Sequence, residues 1–219
     1  MTHTSVKRFL PAVMVVLVMC ALSTFSTATS VTIYTSRAAW TAATSGVTTA
    51  DFNGIAPVGS FVGYGSGPAV IDGLTFASND SMFVIDPAYY GFPYPDGFFN
   101  ADYFVPNIVT ITLPGSYTAV GFDFGSLFTG GATFDVTLGA IGPLTVGTSG
   151  STASGVLGFA GFVSSTPFNT VTLSMPDAPA YNSVDNLSYG AAVPEPGSLA
   201  LLGTGLLGVV GVLRRRLML

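Results

Sequence analysis

Phe134, Val136 and Leu138 alternate with Thr133, Asp135 and Thr137, and Val109, Ile111 and Leu113 alternate with Ile108, Thr110 and Thr112. Val120, Phe122 and Phe124 continue the pattern, as do Val171 and Leu173 set between Thr170, Thr172 and Ser174. A side-chain period of two belongs to strands with one face in a core and the other toward water. Turn formers at Asp72-Gly73, Pro114-Gly115, Gly130-Gly131 and Gly142-Pro143 separate the runs. The pattern predicts an all-β domain over residues 29–192, a jelly-roll-like β-sandwich of many short antiparallel strands. One short helix is expected over 37–44, with Ser36 as N-cap and Gly46 past its end.

Both ends of the chain break this alternation. Lys7 and Arg8 precede an apolar run over 9–22 and the small residues Ser26-Thr27-Ala28, which is the order of a secretory signal peptide. Residues 1–28 are therefore expected to be removed, leaving a mature N-terminus near Thr29. Lipidation at Cys20 is not expected, because Met19 stands where a small residue is wanted. At the other end Pro194-Glu195-Pro196 leads into an apolar stretch over 199–213, followed at once by Arg214, Arg215 and Arg216. Arginines hold that end of a transmembrane helix in the cytoplasm, so the β-domain lies outside. At about 1.5 Å per residue the stretch reaches roughly 22 Å, short of the ~30 Å hydrocarbon core. Gly203, Gly205, Gly208 and Gly211 weaken it further as a helix, so the span suits a temporary anchor better than a permanent one.

This order, Pro-Glu-Pro, a Gly- and Leu-rich apolar helix and an arginine cluster, resembles the PEP-CTERM protein-sorting tail of Gram-negative bacteria, here residues 193–219. The resemblance implies recognition of Pro194, Glu195 and Pro196 by an exosortase, a membrane cysteine protease, with 199–213 as the membrane segment and Arg214, Arg215 and Arg216 as the cytoplasmic stop. It implies export by the secretion machinery, an inner-membrane intermediate in transient contact with the membrane, then release to the cell surface or outside. Secreted proteins with such tails often carry lectin-like sandwiches, in agreement with the alternation, and Asp51-Phe52-Asn53-Gly54 and the segment from Val184 to Gly190 resemble the opening and closing strands of such domains. The tail is also labelled an ice-binding protein C-terminal domain. Flat ice-binding faces use regular rows of Thr-x-Thr, whereas Thr110-x-Thr112 and Thr170-x-Thr172 occur without a repeat to align them, so that activity is not carried over.

Charge sharpens the picture. Of six basic residues only Arg37 lies between the two end segments, against ten aspartates there, a net −9 for the domain. Such a surface repels phosphate backbones, so nucleic acid is excluded as a partner. His3 and Cys20, the one histidine and the one cysteine, fall in the signal segment, which leaves the domain without a Ser-His-Asp triad, a zinc cluster or a disulfide framework. Asp123 in Phe122-Asp123-Phe124-Gly125 reads as an outward strand residue, because the other kinase motifs are missing. The chain is read as a non-enzyme; a glycosidase using two aspartates is the catalytic alternative.

Residues 83–104 hold nine aromatics beside Asp86, Asp96, Asn100 and Asp102. Ring faces flanked by carboxylates and amides suit a sugar, whose C–H faces stack while its hydroxyls bond to oxygens. Tyr89, Tyr90, Tyr94 and Tyr103 are the candidate glycan-binding residues, and exopolysaccharide the candidate partner. The plainer alternative is that this loop covers one sheet and its rings are core. Asp51, Asn53, Asp185 and Asn186 are candidate ligands for a structural calcium, which takes oxygen ligands and would tie paired first and last strands together; no other cofactor is expected. The leading function is an exported cell-surface or extracellular-matrix protein that binds polysaccharide. A structural matrix or coat protein without a ligand is the alternative.

Overall fold

In the computed structural model, which describes residues 29–104, 106–128, 133–147, 150–176, 180–193, 203–205 and 207, the alternating runs form antiparallel strands. The elements are β1 (Val31–Tyr34), α1 (Arg37–Ala42), β2 (Thr44–Ala50), β3 (Phe61–Gly65), β4 (Ala69–Ile71), β5 (Leu74–Ser78) and β6 (Met82–Ile85). They continue as β7 (Phe98–Phe104), β8 (Asn107–Ser126), β9 (Phe134–Leu138), β10 (Ile141–Val146), β11 (Gly150–Ser151), β12 (Gly158–Met175) and β13 (Ala180–Ala192). The expected signal peptide, the Pro194-Glu195-Pro196 motif and Arg214, Arg215 and Arg216 lie outside the described residues, as does most of the apolar span. Among the described residues no helix is long and apolar enough to cross a membrane.

Two long strands organise the domain. β8 and β12 pair with each other twice, Phe124–Ala119 against Gly158–Val163 and Thr112–Asn107 against Thr170–Met175, with register shifts in between. Beyond the shifts each strand has different outer neighbours. The first half of β8 pairs with β5 and its second half with β13, while β12 pairs first with β1 and then with β9. One continuous sheet of 13 strands is thereby folded into two packed halves, the arrangement produced when strands pass a sandwich corner through irregular residues. Val109, Ile111, Val136 and Leu173 of one half meet Val120, Phe122, Phe162 and Phe99 of the other in a single buried cluster. The fold is all-β and sandwich-like, as expected.

Three local expectations are corrected. Pro114-Gly115 is not a turn: β8 runs through it, and the segment marks the corner instead, where burial along the strand is interrupted. Gly142-Pro143 falls inside β10 at a register shift. The helix stops at Ala42, not Thr44, because Thr44 is already paired with Ala192 in the sheet. Gly46, expected beyond a helix, bends β2 with φ 60°. By contrast Asp72-Gly73 forms the hairpin β4–β5, both residues at positive φ with Ile71 opposite Leu74, the backbone a tight primed turn requires. Gly130-Gly131 lies outside the described residues.

The expected closing strand, Val184 to Gly190, lies within β13, but Asp51-Phe52-Asn53-Gly54 is a turn after β2 and not an opening strand, and the first strand, β1, pairs with β12. Ala50 at the end of β2 faces Leu187 of β13, so the turn that begins at Asp51 leaves the sheet beside β13.

Candidate functional site: an aromatic cleft on the outer sheet face

Strands β3, β6, β7 and β13 lie side by side, with Phe83 opposite Asn100 and Asn100 opposite Ser183. Period-two alternation sends Phe99, Ala101 and Val184 into the core and Phe98, Asn100 and Asp102 to the outer face. The loop between β6 and β7 folds back over that outer face. Tyr94, Phe98, Ile85 and Leu127 form a second small hydrophobic cluster beneath it. The loop therefore does cover a sheet, and it does so while leaving other rings in water.

Those other rings form a continuous path. Phe61 meets Phe83 at 5.5 Å and Tyr89 at 5.0 Å between ring centroids, and Tyr89 meets Tyr90 at 4.7 Å. Tyr90 stacks on Phe92 and touches Phe128 edge-on; Phe128 continues to Tyr181 and Tyr181 to Tyr103. Edge-to-face and offset contacts at these separations are the favourable ones for aromatic pairs, so the path is held in shape by its own rings. Phe61, Tyr89, Tyr90, Tyr103 and Phe128 are nonetheless exposed, between 42% and 54%. A cavity of about 160 Å³ opens within this path, walled by Phe61, Tyr89, Tyr90 and Tyr181, with Asn100 and Asp102 as its polar residues. It is below the ~300–1,000 Å³ of pockets that enclose a drug-sized ligand, so it has room for one ring-sized group of a longer molecule lying across the surface.

The polar residues are held firmly. Asn100 is buried, its Oδ1 accepting from Ser183 Oγ at 2.9 Å. Asp102 is fixed through its backbone, its N–H donating to Ser81 O at 2.9 Å and its carbonyl accepting from Asn107 Nδ2 at 2.5 Å. Asp102 Oδ1 accepts from Tyr103 N at 2.8 Å. Burial pushes the Tyr90 and Tyr181 phenols up, and the negative charge of Asp102 adds to the effect on both. Both therefore stay as neutral hydroxyls that can donate to a ligand oxygen.

The loop is anchored at both ends. On entry, Asp86 Oδ1 accepts from Ala88 N at 3.0 Å and from Gly59 N at 2.8 Å, capping the 3-10 turn Pro87–Tyr89 that presents Tyr89. On exit, Gly97 N donates to Asn53 Oδ1 at 2.8 Å. Gly97 must be glycine, since a Cβ there would lie 2.8 Å from Phe52 O. In the middle, Tyr94 Oη donates to Asp185 Oδ2 at 2.5 Å, in the interior.

Of the four tyrosines expected to bind sugar, the structure places Tyr89, Tyr90 and Tyr103 on the exposed path. Tyr94 is a correction: at 7% exposure its ring packs on Phe98 and its hydroxyl holds Asp185, so it offers no face to a ligand. The four residues read as calcium ligands have other partners. Asp51 Oδ1 accepts from Asn53 N, and Asp51 N donates to Asp72 Oδ2. Asp185 and Asn186 belong to a separate set, in which Asn186 Nδ2 donates to Asp185 Oδ2 and to Asp123 Oδ2, each at 3.0 Å. Asp123 in turn pairs with Arg37 Nη2 at 2.9 Å, and Arg37 lies over the Phe159 ring. Among the described residues no three or more His, Cys, Asp or Glu side chains are grouped to hold a metal ion.

Sequence reasoning confined the aromatic surface to residues 83–104 and missed Phe61, Phe128 and Tyr181, which reach it from β3, the bend after β8, and β13. Their signal was available: Tyr181 breaks the outward polar positions of β13, and Leu127-Phe128 places two large apolar residues one position before a glycine pair.

Comparison with known proteins bears on the tail and hardly on the domain. Residues 192–216 match the PEP-CTERM protein-sorting motif. That signal implies processing by an exosortase and export through the membrane to the cell surface. No curated protein matches the chain. Among solved structures, the catalytic domain of a family GH87 alpha-1,3-glucanase is similar at 12% identity and a TM-score of 0.39, covering 64% of this chain. The chain spans only 29% of the length of that domain. A family 29 carbohydrate-binding module is similar at 13% identity and TM-score 0.36, covering 67% of this chain and 94% of its own. The family 11 carbohydrate-binding module from Clostridium thermocellum is similar at 10% identity and TM-score 0.35, covering 67% and 96%. Likeness at this level does not extend to what a chain binds.

Proposed function

We propose that this is an exported, non-catalytic binding protein that holds a polysaccharide at the cell surface or in the extracellular matrix, through the aromatic cleft beside β7. The observation that supports it best is the exposed ring path enclosing a cavity whose polar members are a buried amide and a rigidly held carboxylate. Rings in water cost hydration free energy with nothing to offset it unless a partner covers them. A sugar chain covers them well: one residue seats in the cavity, its C–H face on Tyr89 or Tyr90 and its hydroxyls on Asn100 and Asp102, and the flanking residues run along Phe128 and Tyr103.

The test is binding of the full-length chain to a panel of immobilised exopolysaccharides, with Tyr89→Ala and Tyr90→Ala beside the unaltered protein. Each ring contact is worth about 0.5–1.5 kcal/mol, so each substitution is expected to weaken binding about three- to tenfold. Binding that both variants retain in full would overturn the reading. Self-association without sugar, lost in Tyr90→Ala, would support a structural matrix protein instead.

A further inference from the structure

The cleft has one sign of charge. Asp102 lines it, while nothing basic does, and the domain's one interior cation, Arg37, is engaged away from it by Asp123, Ser188 and the Asn186 carbonyl. Asp102 Oδ1 is occupied by the Tyr103 N–H; among the described residues Oδ2 has no donor and is left for a ligand. Bonds to Ser81 and Asn107 hold its main chain and the bond from Tyr103 N orients its carboxylate, so little ordering remains for a ligand to bring about.

A carboxylate inside a ring of tyrosines and phenylalanines discriminates by charge. A uronate or sulfated sugar would set its own anion against Asp102 and against an acidic domain. A neutral sugar gains an ordinary hydrogen bond. A protonated amine gains two attractions at once, a charge-assisted hydrogen bond to Asp102 and the negative faces of the neighbouring rings.

Resting on the polysaccharide reading above, we infer that the cleft selects glycans bearing free amino groups, seating the ammonium of one de-N-acetylated amino sugar among Tyr89, Tyr90, Phe61 and Tyr181 with Asp102 as its counterion. Acetylation of the same nitrogen removes the charge and adds bulk to a cavity sized for one ring, so the N-acetylated form binds less well.

The experiment is calorimetric titration of the full-length chain, at mildly acidic pH, with a glucosamine oligomer, its fully N-acetylated counterpart and an oligogalacturonate of matched length. The glucosamine oligomer is expected to bind about tenfold more tightly than the N-acetylated one, and the oligogalacturonate weakest. In Asp102→Asn, which keeps the Oδ1 acceptor, the ratio between the first two is expected to fall to about one. Equal affinities in the unaltered protein, a ratio that Asp102→Asn leaves in place, or tightest binding of the oligogalacturonate would each overturn the charge selection while leaving the polysaccharide reading intact. Absence of binding by all three, together with no binding to the polysaccharide panel, would overturn both.

Discussion

Tyr94 donates its hydroxyl to Asp185 Oδ2 across 2.5 Å, joining the middle of the aromatic loop to the last strand of the sheet. The bond lies in the interior, where a carboxylate without partners is costly, and it gives the loop a fixed seat from which Tyr89 and Tyr90 project. Tyr94→Phe keeps the ring and its contact with Phe98 but removes this donor. The variant is expected to lose about 1–3 kcal/mol of stability, read as a lower urea midpoint with unchanged slope. Its sugar affinity is expected to fall as well, since the loop loses its central tie. Unchanged stability would mean that the bond carries no net weight.

The same carboxylate makes stability depend on pH. Burial raises the Asp185 carboxyl to about 7, outweighing the hydrogen bonds from Tyr94 and Asn186, which act the other way; Asp123 and Asp96 add repulsion. In the unfolded chain an aspartate releases its proton near pH ~3.9. Between pH ~4 and ~7 the folded state therefore holds a proton that the unfolded state has lost, and stability falls as pH rises through that window. Asp185→Asn cannot lose the proton. The difference in stability between Asp185→Asn and the unaltered protein is expected to shift in favour of the variant by a few kcal/mol from pH ~4 to ~7. A difference that stays constant across the window would rule the mechanism out.

The sandwich itself was legible because alternation is a local property: Phe134, Val136 and Leu138 announce their buried face within five residues, and the structure buries all three. The corner at Pro114-Gly115 was not, since the same dipeptide that ends a strand in a hairpin can sit within a long strand when the partner strand shifts register alongside it. The candidate site was half legible. Tyr89, Tyr90 and Tyr103 stand in one segment whose composition gave them away, whereas Phe61 and Tyr181 arrive from two separate strands and Phe128 from the bend after a third. Tyr94 and Asp185 illustrate the limit best. They are 91 residues apart, and nothing in either local sequence separates a ring that stacks on sugar from one that holds a buried carboxylate.

Trp40 is the one tryptophan of the chain, and it is buried between α1 and the sheet, its Nε1 donating to Phe162 O at 3.2 Å. The indole lies directly on the backbone of Gly161, where an added Cβ would sit 2.5 Å from the ring, and beside Gly121, where it would sit 3.1 Å away. Gly161→Ala is therefore expected to destabilise the domain by about 1–3 kcal/mol through overpacking. The ring is the cause, so the cost should shrink in a Trp40→Phe background, and a double-mutant cycle on thermal unfolding measures the coupling. Equal costs in the two backgrounds would place the strain elsewhere.

The sheet ends where the sorting motif begins. Val193 N donates to Ala43 O at 2.9 Å, and Pro194 follows at once in the sequence, so Val193 alone stands between β13 and Pro194-Glu195-Pro196. Two prolines fix φ and supply no backbone donor, so the sequence predicts a tripeptide that joins neither β13 nor the apolar helix expected over 199–213. A segment of that kind between a folded domain and a membrane is one that a protease can bind. Mass spectrometry of the mature extracellular protein is expected to show a product lacking Arg214, Arg215 and Arg216. A variant with alanine at Pro194, Glu195 and Pro196 is expected to stay in the membrane and keep all three arginines. If both proteins retained the arginines at equal mass, the tail would be a plain anchor, and the short, glycine-interrupted span would have to hold the domain at the membrane by itself.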